Sequence, residues 1–309
     1  MIIRKNNYLN IFLKIIIASS CLKSIALHSA ISIVYNLRIA EATKRPAFEK
    51  SNTPHSIGIT GFNTNRKRLK GIHHNAGGIL TTFLYTKPSF FFRTDFAFGK
   101  VEESDGMCTK FSRTQTDDIL FSGGYSFPIR KRIKLTFSGL FGIPTHKDLT
   151  FEGIQFGSGH IGLGLQMDGA FLYRSNKKHT IRTAARYIHF IGRKVAAKVD
   201  KVLRYFDYHL GNVVDLFLSH HFIFGHHSFE TGFDETFVFG AKIVPCLDDV
   251  VKKTNYLRSS FYSTYKHRFV LREVNNAIAV AFSYAFDTTP KEFGNKRILT
   301  AWASWGVSF

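Results

Sequence analysis

The chain closes on Ile298-Leu299-Thr300-Ala301-Trp302-Ala303-Ser304-Trp305-Gly306-Val307-Ser308-Phe309. Leu299, Ala301, Ala303, Trp305, Val307 and Phe309 occupy every second position. Thr300, Trp302, Ser304, Gly306 and Ser308 stand between them. Side chains of a β-strand point alternately to two faces, so a period of two describes a strand with one oily face and one small, mostly polar face. The segment before it repeats the pattern: Ile278, Val280, Phe282, Tyr284 and Phe286 alternate with Ala279, Ala281, Ser283, Ala285 and Asp287.

Working back toward the N-terminus, the same alternation recurs. Leu163, Leu165, Met167, Phe171 and Tyr173 oppose Gly162, Gly164, Gln166, Asp168 and Ala170. Phe90, Phe92, Phe96 and Phe98 oppose Arg93 and Asp95. The runs predict twelve strands, over 55–63, 77–86, 89–100, 117–127, 132–143, 158–173, 178–190, 209–224, 229–244, 258–271, 275–286 and 298–309. Their connections alternate too. Short links at 87–88, 128–131, 174–177, 225–228 and 272–274 are interleaved with long ones over 64–76, 101–116, 144–157, 191–208, 245–257 and 287–297. Short turns on one side and long loops on the other are the rhythm of a transmembrane up-and-down barrel. The fold expected is therefore all-β, an antiparallel transmembrane β-barrel of about twelve strands over residues 55–309, with both termini on the short-turn side. A two-sheet sandwich also alternates. It would not need so many large aromatics on one face, nor the strict long-short rhythm.

Composition agrees. The chain holds 32 Phe and 12 Tyr in 309 residues, and aromatic side chains suit strands. Mean hydropathy is near zero, because an alternating wall averages out. Lys and Arg number 42 against 22 Asp and Glu, a formal +20. In a soluble protein that excess would point to nucleic acid. Here the basic residues are dispersed and no nucleic-acid-binding signature occurs, so nucleic acid is not an expected partner. A membrane carrying anionic head groups is. The apolar core at Leu9–Ala18 follows Arg4 and Lys5, and Ser24-Ile25-Ala26 offers a small-x-small cleavage site. Residues 1–26 thus read as a secretory signal peptide, and 27–54 as a linker or a segment lying in the pore. Cys108 and Cys246 fall in long loops on one side, where spacing alone leaves a disulfide open.

The C-terminal strand ending in Trp305, Val307 and Phe309 resembles the sorting signal of bacterial outer-membrane β-barrel proteins. That resemblance covers the barrel region and implies export, an outer-membrane location and handling by the barrel-insertion machinery. Pro144-Thr145-His146 and the glycine-rich 157–165 faintly resemble outer-membrane transporters linked to aromatic-compound uptake.

If the oily residues face lipid, the opposite set faces the lumen. Its charged members include Arg93, Arg132, Lys134, Arg182, Arg186, Lys242, Lys266 and Arg268, with Asp95, Asp118, Asp168, Asp215, Asp234, His160 and His221. A basic excess inside a pore favours anions, and guanidinium groups grip carboxylates in two-point fashion. Arg182 and Arg186, four apart on one strand, are the leading candidates for a solute-facing track. In outline this resembles small twelve-stranded channels that pass acidic sugars. The bland alternative is that these charges pair across neighbouring strands and fill the lumen. Glu235 lies on the lipid face between Phe233 and Phe237, and fits only near an interface.

No cofactor, metal site or catalytic residue is expected. His226-His227-Ser228 is the nearest approach to a nucleophile and base, but it sits in a tight turn without a third group to orient the histidine. His220 and His221 point to opposite faces, so they do not share an ion. Residues 193–206 have helical spacing, with Val195, Val199, Val202 and Phe206 on one side, which predicts a short helix in a long loop. The function expected is a channel for small solutes, with anions favoured. Its rival is a non-conducting barrel that serves adhesion, anchoring or recognition through its long loops.

Overall fold

A computed structural model describes residues 53–68, 73–104, 110–145, 159–173, 178–199, 202–208, 210–243, 252–287 and 295–309. The expected signal peptide, most of the 27–54 segment, Cys108 and Cys246 lie outside the described residues.

Among the described residues fifteen strands form. They are β1 (His55–Arg68), β2 (His73–Thr86), β3 (Phe90–Ser104), β4 (Lys110–Thr116), β5 (Ile119–Arg130), β6 (Ile133–Ile143), β7 (Gly162–Leu172) and β8 (His179–Phe190), then β9 (Arg193–Val199), β10 (Val202–Tyr208), β11 (Asn212–Phe224), β12 (His227–Ile243), β13 (Lys252–Leu271), β14 (Val274–Asp287) and β15 (Asn295–Ser308). Twelve of them close a ring in the order β1-β2-β3-β5-β6-β7-β8-β11-β12-β13-β14-β15, every neighbour antiparallel. The seam joins the last strand to the first. Ile57 pairs with Val307 and Ile59 with Trp305, and His55 and Phe309 exchange both backbone hydrogen bonds at 3.1 and 3.0 Å. Closure gives each of the twelve ring strands a neighbour on both sides, which a sheet in hydrocarbon requires. With strands about 4.8 Å apart and tilted about 40°, twelve of them set opposite backbones about 24 Å apart.

Alternation sorts the faces as the sequence dictates. Ile59, Phe83, Phe92, Phe96, Phe137, Phe141, Leu163, Leu165, Phe261, Val280 and Trp305 all project outward and are exposed. Such a belt of large apolar groups has no place on a protein facing water. At the short-turn end it is edged by packed rings, His55 stacked on Phe309 (centroids 5.9 Å) and tilted against Tyr85 (5.0 Å), and His179 stacked on Phe222 (4.6 Å). That matches the aromatic girdle of a membrane interface. Among the described residues no helix is long and apolar enough to cross a membrane.

Differences from the sequence reading lie at the loops. The predicted long links at 64–76 and 101–116 shrink, because β1 and β2 stay paired out to Lys67↔His73 and β3 and β4 out to Ser104↔Lys110. Fourteen strand residues tilted about 40° rise about 36 Å, against an apolar band about 25 Å tall. The ladder therefore runs on above the membrane, where alternation of polarity no longer marks it. β4 and β5 both pair with β3 and are one strand interrupted at Asp117 and Asp118. The predicted helix over 193–206 is instead the hairpin β9–β10, with Val199 opposite Val202 and Val195 opposite Phe206. Its β-branched valines are stiff at χ1 and favour the extended chain over a helix. The predicted strand 158–173 begins only at Gly162.

One tight turn is strained. Arg272 and Glu273, between β13 and β14, hold φ of 49° and 65°. Two positive angles suit a two-residue hairpin, which prefers glycine there. We expect Glu273→Gly to stabilise the barrel by about 1 kcal/mol, read as a higher urea midpoint in detergent micelles. An unchanged or lower midpoint would mean that the turn carries no strain.

Candidate functional site

The inner wall carries the polar half of the alternation, and most of its charges are paired. Asp215 on β11 lies in register with Arg186 on β8, and both are buried. Arg186 Nε donates to Asp215 Oδ2 at 2.7 Å and Nη2 donates to the same oxygen. Asp95 on β3 accepts from Arg93 Nε (2.7 Å) and Nη2 (2.9 Å) and from the Thr82 hydroxyl (2.6 Å). Glu230 on β12 collects the Ser219 hydroxyl at 2.7 Å, the Tyr262 hydroxyl at 3.0 Å and Arg182 Nη1 at 3.4 Å. Nearer the long loops, Arg258 Nε donates to Asp287 at 2.7 Å and Ser260 donates to Asp234 at 2.7 Å. A buried ion removed from water needs such partners to persist.

Glycine shapes this network. Tyr262 faces Gly232 across the β12–β13 ladder, and a Cβ at Gly232 would lie 2.5 Å from Tyr262 Cε1. The bare backbone lets the Tyr262 ring lean over β12, stack on Phe217 of β11 (centroids 5.6 Å, 19°) and reach Glu230. An apolar layer crosses the interior beside it, built from Phe62, Leu80, Val101, Leu120, Leu140, Ile188, Tyr262 and Trp302.

Each candidate named from the sequence has a definite place. Arg182 and Arg186 both lie on the inner face of β8, Arg182 toward Glu230 and Arg186 against Asp215. Arg93 is held by Asp95. Lys134 on β6 and Arg182 on β8 flank Ala170 of β7 in register. Asp168, also on β7, accepts two hydrogen bonds from Gln166 at 3.0 and 2.9 Å. Lys266 is buried opposite Ala279, and Arg268 faces Ala277. Arg132 is a correction: it lies exposed in the turn between β5 and β6, because the strand starts at Ile133. For Lys242 the bulge between Val238 and Ala241 shifts the alternation by one, so parity counted along β12 no longer applies there. The sequence reading missed Glu230 and Arg258; Asp287 it had on the polar parity, without its partner Arg258. Glu230 shares the parity of Asp234 and could have been counted.

Five of the inner-wall cations cluster toward one end of the barrel, whereas Arg66, Arg186 and Arg258 lie farther from it. Arg93, Lys134, Arg182, Lys266 and Arg268 all lie within five residues of the short-turn ends of their strands. Arg130, Lys131 and Arg132 add exposed charge at the same mouth. Outside, Glu235 keeps the outward parity, and its Oε1 accepts from the buried Ser259 hydroxyl at 2.8 Å. Ser228 is buried inside while His227 lies outside with Nδ1 2.6 Å from the Tyr265 hydroxyl oxygen, so those two do not meet. His220 bonds His179 at 3.1 Å on the outer face, whereas His221 is buried within.

No protein-family model matches the chain, and no curated protein matches it. Among solved structures it is similar to an outer-membrane channel from Pseudomonas putida F1, with a TM-score of 0.65 and 11% identity over 86% of this chain and 99% of that one. The CymD monoaromatic hydrocarbon channel is found at a TM-score of 0.47 and 7% identity, over 84% of this chain and 89% of that one. The NanC porin follows at 0.43 and 9%, over 82% and 98%. The first of these likenesses, with the closed ring and the outer apolar belt, gives this chain the fold of an outer-membrane β-barrel.

Proposed function

We propose that the protein is an outer-membrane channel for small solutes, exported by its N-terminal signal, and that anions pass it in preference to cations. The observation that carries the preference is the basic short-turn mouth. Lys134 has no ion-pair partner among the described residues, and Arg182 stands across Ala170 from it. Two cations on strands either side of β7, with only the Ala170 methyl group between them, raise the local concentration of anions. The channel similarity from Pseudomonas putida supports the barrel frame in which that mouth sits. Lipid and lipopolysaccharide on the outer belt, and the insertion machinery during biogenesis, are the partners this reading carries with it.

The test is the reversal potential of single channels in planar bilayers under a KCl gradient. We expect anion preference in the parent, and a several-fold fall in the anion-to-cation permeability ratio for Lys134→Gln with Arg182→Gln. Cation preference, or an unchanged ratio, would refute the proposed selectivity.

A second reading draws on the same interior. The paired charges and the apolar layer around Phe62 and Trp302 are also what a filled, non-conducting barrel would contain, one acting through its long loops in adhesion or recognition. Complete absence of current from correctly folded protein would favour it.

A further inference from the structure

The inner face of β14 differs from every other wall strand. Ala277, Ala279, Ala281, Ser283 and Ala285 succeed one another there, all small and all buried. A strip of small side chains alone would mean little. Here it is flanked by polar groups that find nothing to bond. In one layer of the register, Thr264 of β13, Ala281 of β14 and Trp302 of β15 stand side by side. In the next, Lys266, Ala279, Ser304 and Thr60 do so. Thr264 is 3% exposed, Trp302 3% and Thr60 0%. The Thr264 hydroxyl, the Trp302 indole N–H and the Thr60 hydroxyl nevertheless have no hydrogen-bond partner among the described residues.

Three orphan polar groups within two adjacent layers are costly. Each buried polar group without a partner has given up its hydrogen bonds to water with nothing in return, and the indole nitrogen can only donate. Tyr262, which could have closed the patch from the β13 side, leans away over Gly232 and stacks on Phe217. What remains is a floor of methyl groups, the indole and Phe62 as apolar wall, three groups able to donate, and the buried Lys266 ammonium at one corner. We propose that this patch is a solute-binding station in the lumen, and that it takes a small carboxylate with an apolar body. The carboxylate would accept from Trp302, Thr264 and Thr60 near Lys266, and its hydrocarbon part would lie along Ala279 and Ala281. The proposal rests on the channel reading and gives its solute a chemical class.

The sequence supplies the reporter, since Trp302 and Trp305 are its only tryptophans. Trp305 lies on the outer face, and Trp305→Phe leaves an aromatic there and Trp302 as the sole indole. In that protein, refolded in detergent, cyclohexanecarboxylate should change Trp302 emission saturably, and cyclohexylammonium should not. Thr264→Val, which keeps the side-chain volume, and Lys266→Met should each weaken the carboxylate by about tenfold or more. No saturable change, equal responses to the two probes, or dissociation constants unmoved by both variants would overturn the station. Conductance of the same preparations separates the two claims. Current without saturable binding removes the station and leaves the channel, whereas saturable binding without current keeps the station and removes the channel.

Discussion

Asp215→Ala is expected to destabilise the barrel by about 3–5 kcal/mol, the largest loss anticipated for any single inner-wall substitution. The reason is the charge left behind. Arg186 is 7% exposed, and both its Nε and its Nη2 are committed to Asp215 Oδ2. With the carboxylate removed, a guanidinium stays in a poorly solvated wall with no counter-charge on the adjacent strand, and breaking a buried pair from one side costs about that much. Urea unfolding in micelles, with the heat-dependent gel shift of folded barrels as a second readout, measures it. The double variant Arg186→Met with Asp215→Leu should recover most of the loss, because two apolar groups of similar volume replace the pair without an orphan. A single-variant loss under about 1 kcal/mol would show that water reaches the pair freely and that this part of the lumen is wide.

The second large effect tests which face meets lipid. Leu165 on β7 is 70% exposed and sits seven residues in from the short-turn end of its strand. Leu165→Arg should cost about 2–4 kcal/mol in a bilayer, whereas Leu271→Arg, at the short-turn end of β13, should cost about 1 kcal/mol or less. Depth in the membrane is the only variable intended to differ, since both residues face outward and both are exposed. Equal and small costs at the two positions, measured by folding into lipid vesicles, would mean that the outer belt does not face hydrocarbon.

Much of the frame was legible because a membrane wall imposes a binary choice at every strand position. Trp302 and Trp305 differ by three in sequence, so a period of two assigns one inward and the other outward, and the structure has them so. Legibility failed where that choice no longer applied. Above the membrane, Lys67↔His73 and Ser104↔Lys110 are paired although neither strand alternates in polarity there. In the β9–β10 hairpin, valines at helical spacing matched a helix pattern that their branched side chains disfavour. At Gly240, a φ of 71° beside the bulge breaks the parity count.

The amino-acid sequence by itself determined the number of strands in the closed ring, the inner and outer faces and the short-turn ends, because each follows from local periodicity in one dimension. Partnership inside the barrel came only with the tertiary structure. Arg186 meets Asp215 and Glu230 gathers Arg182, Ser219 and Tyr262 across strands whose relative register the sequence does not state. Closure of twelve strands sets that register, and with it decides which wall groups are neutralised and which, at Thr60, Thr264 and Trp302, are left wanting a partner.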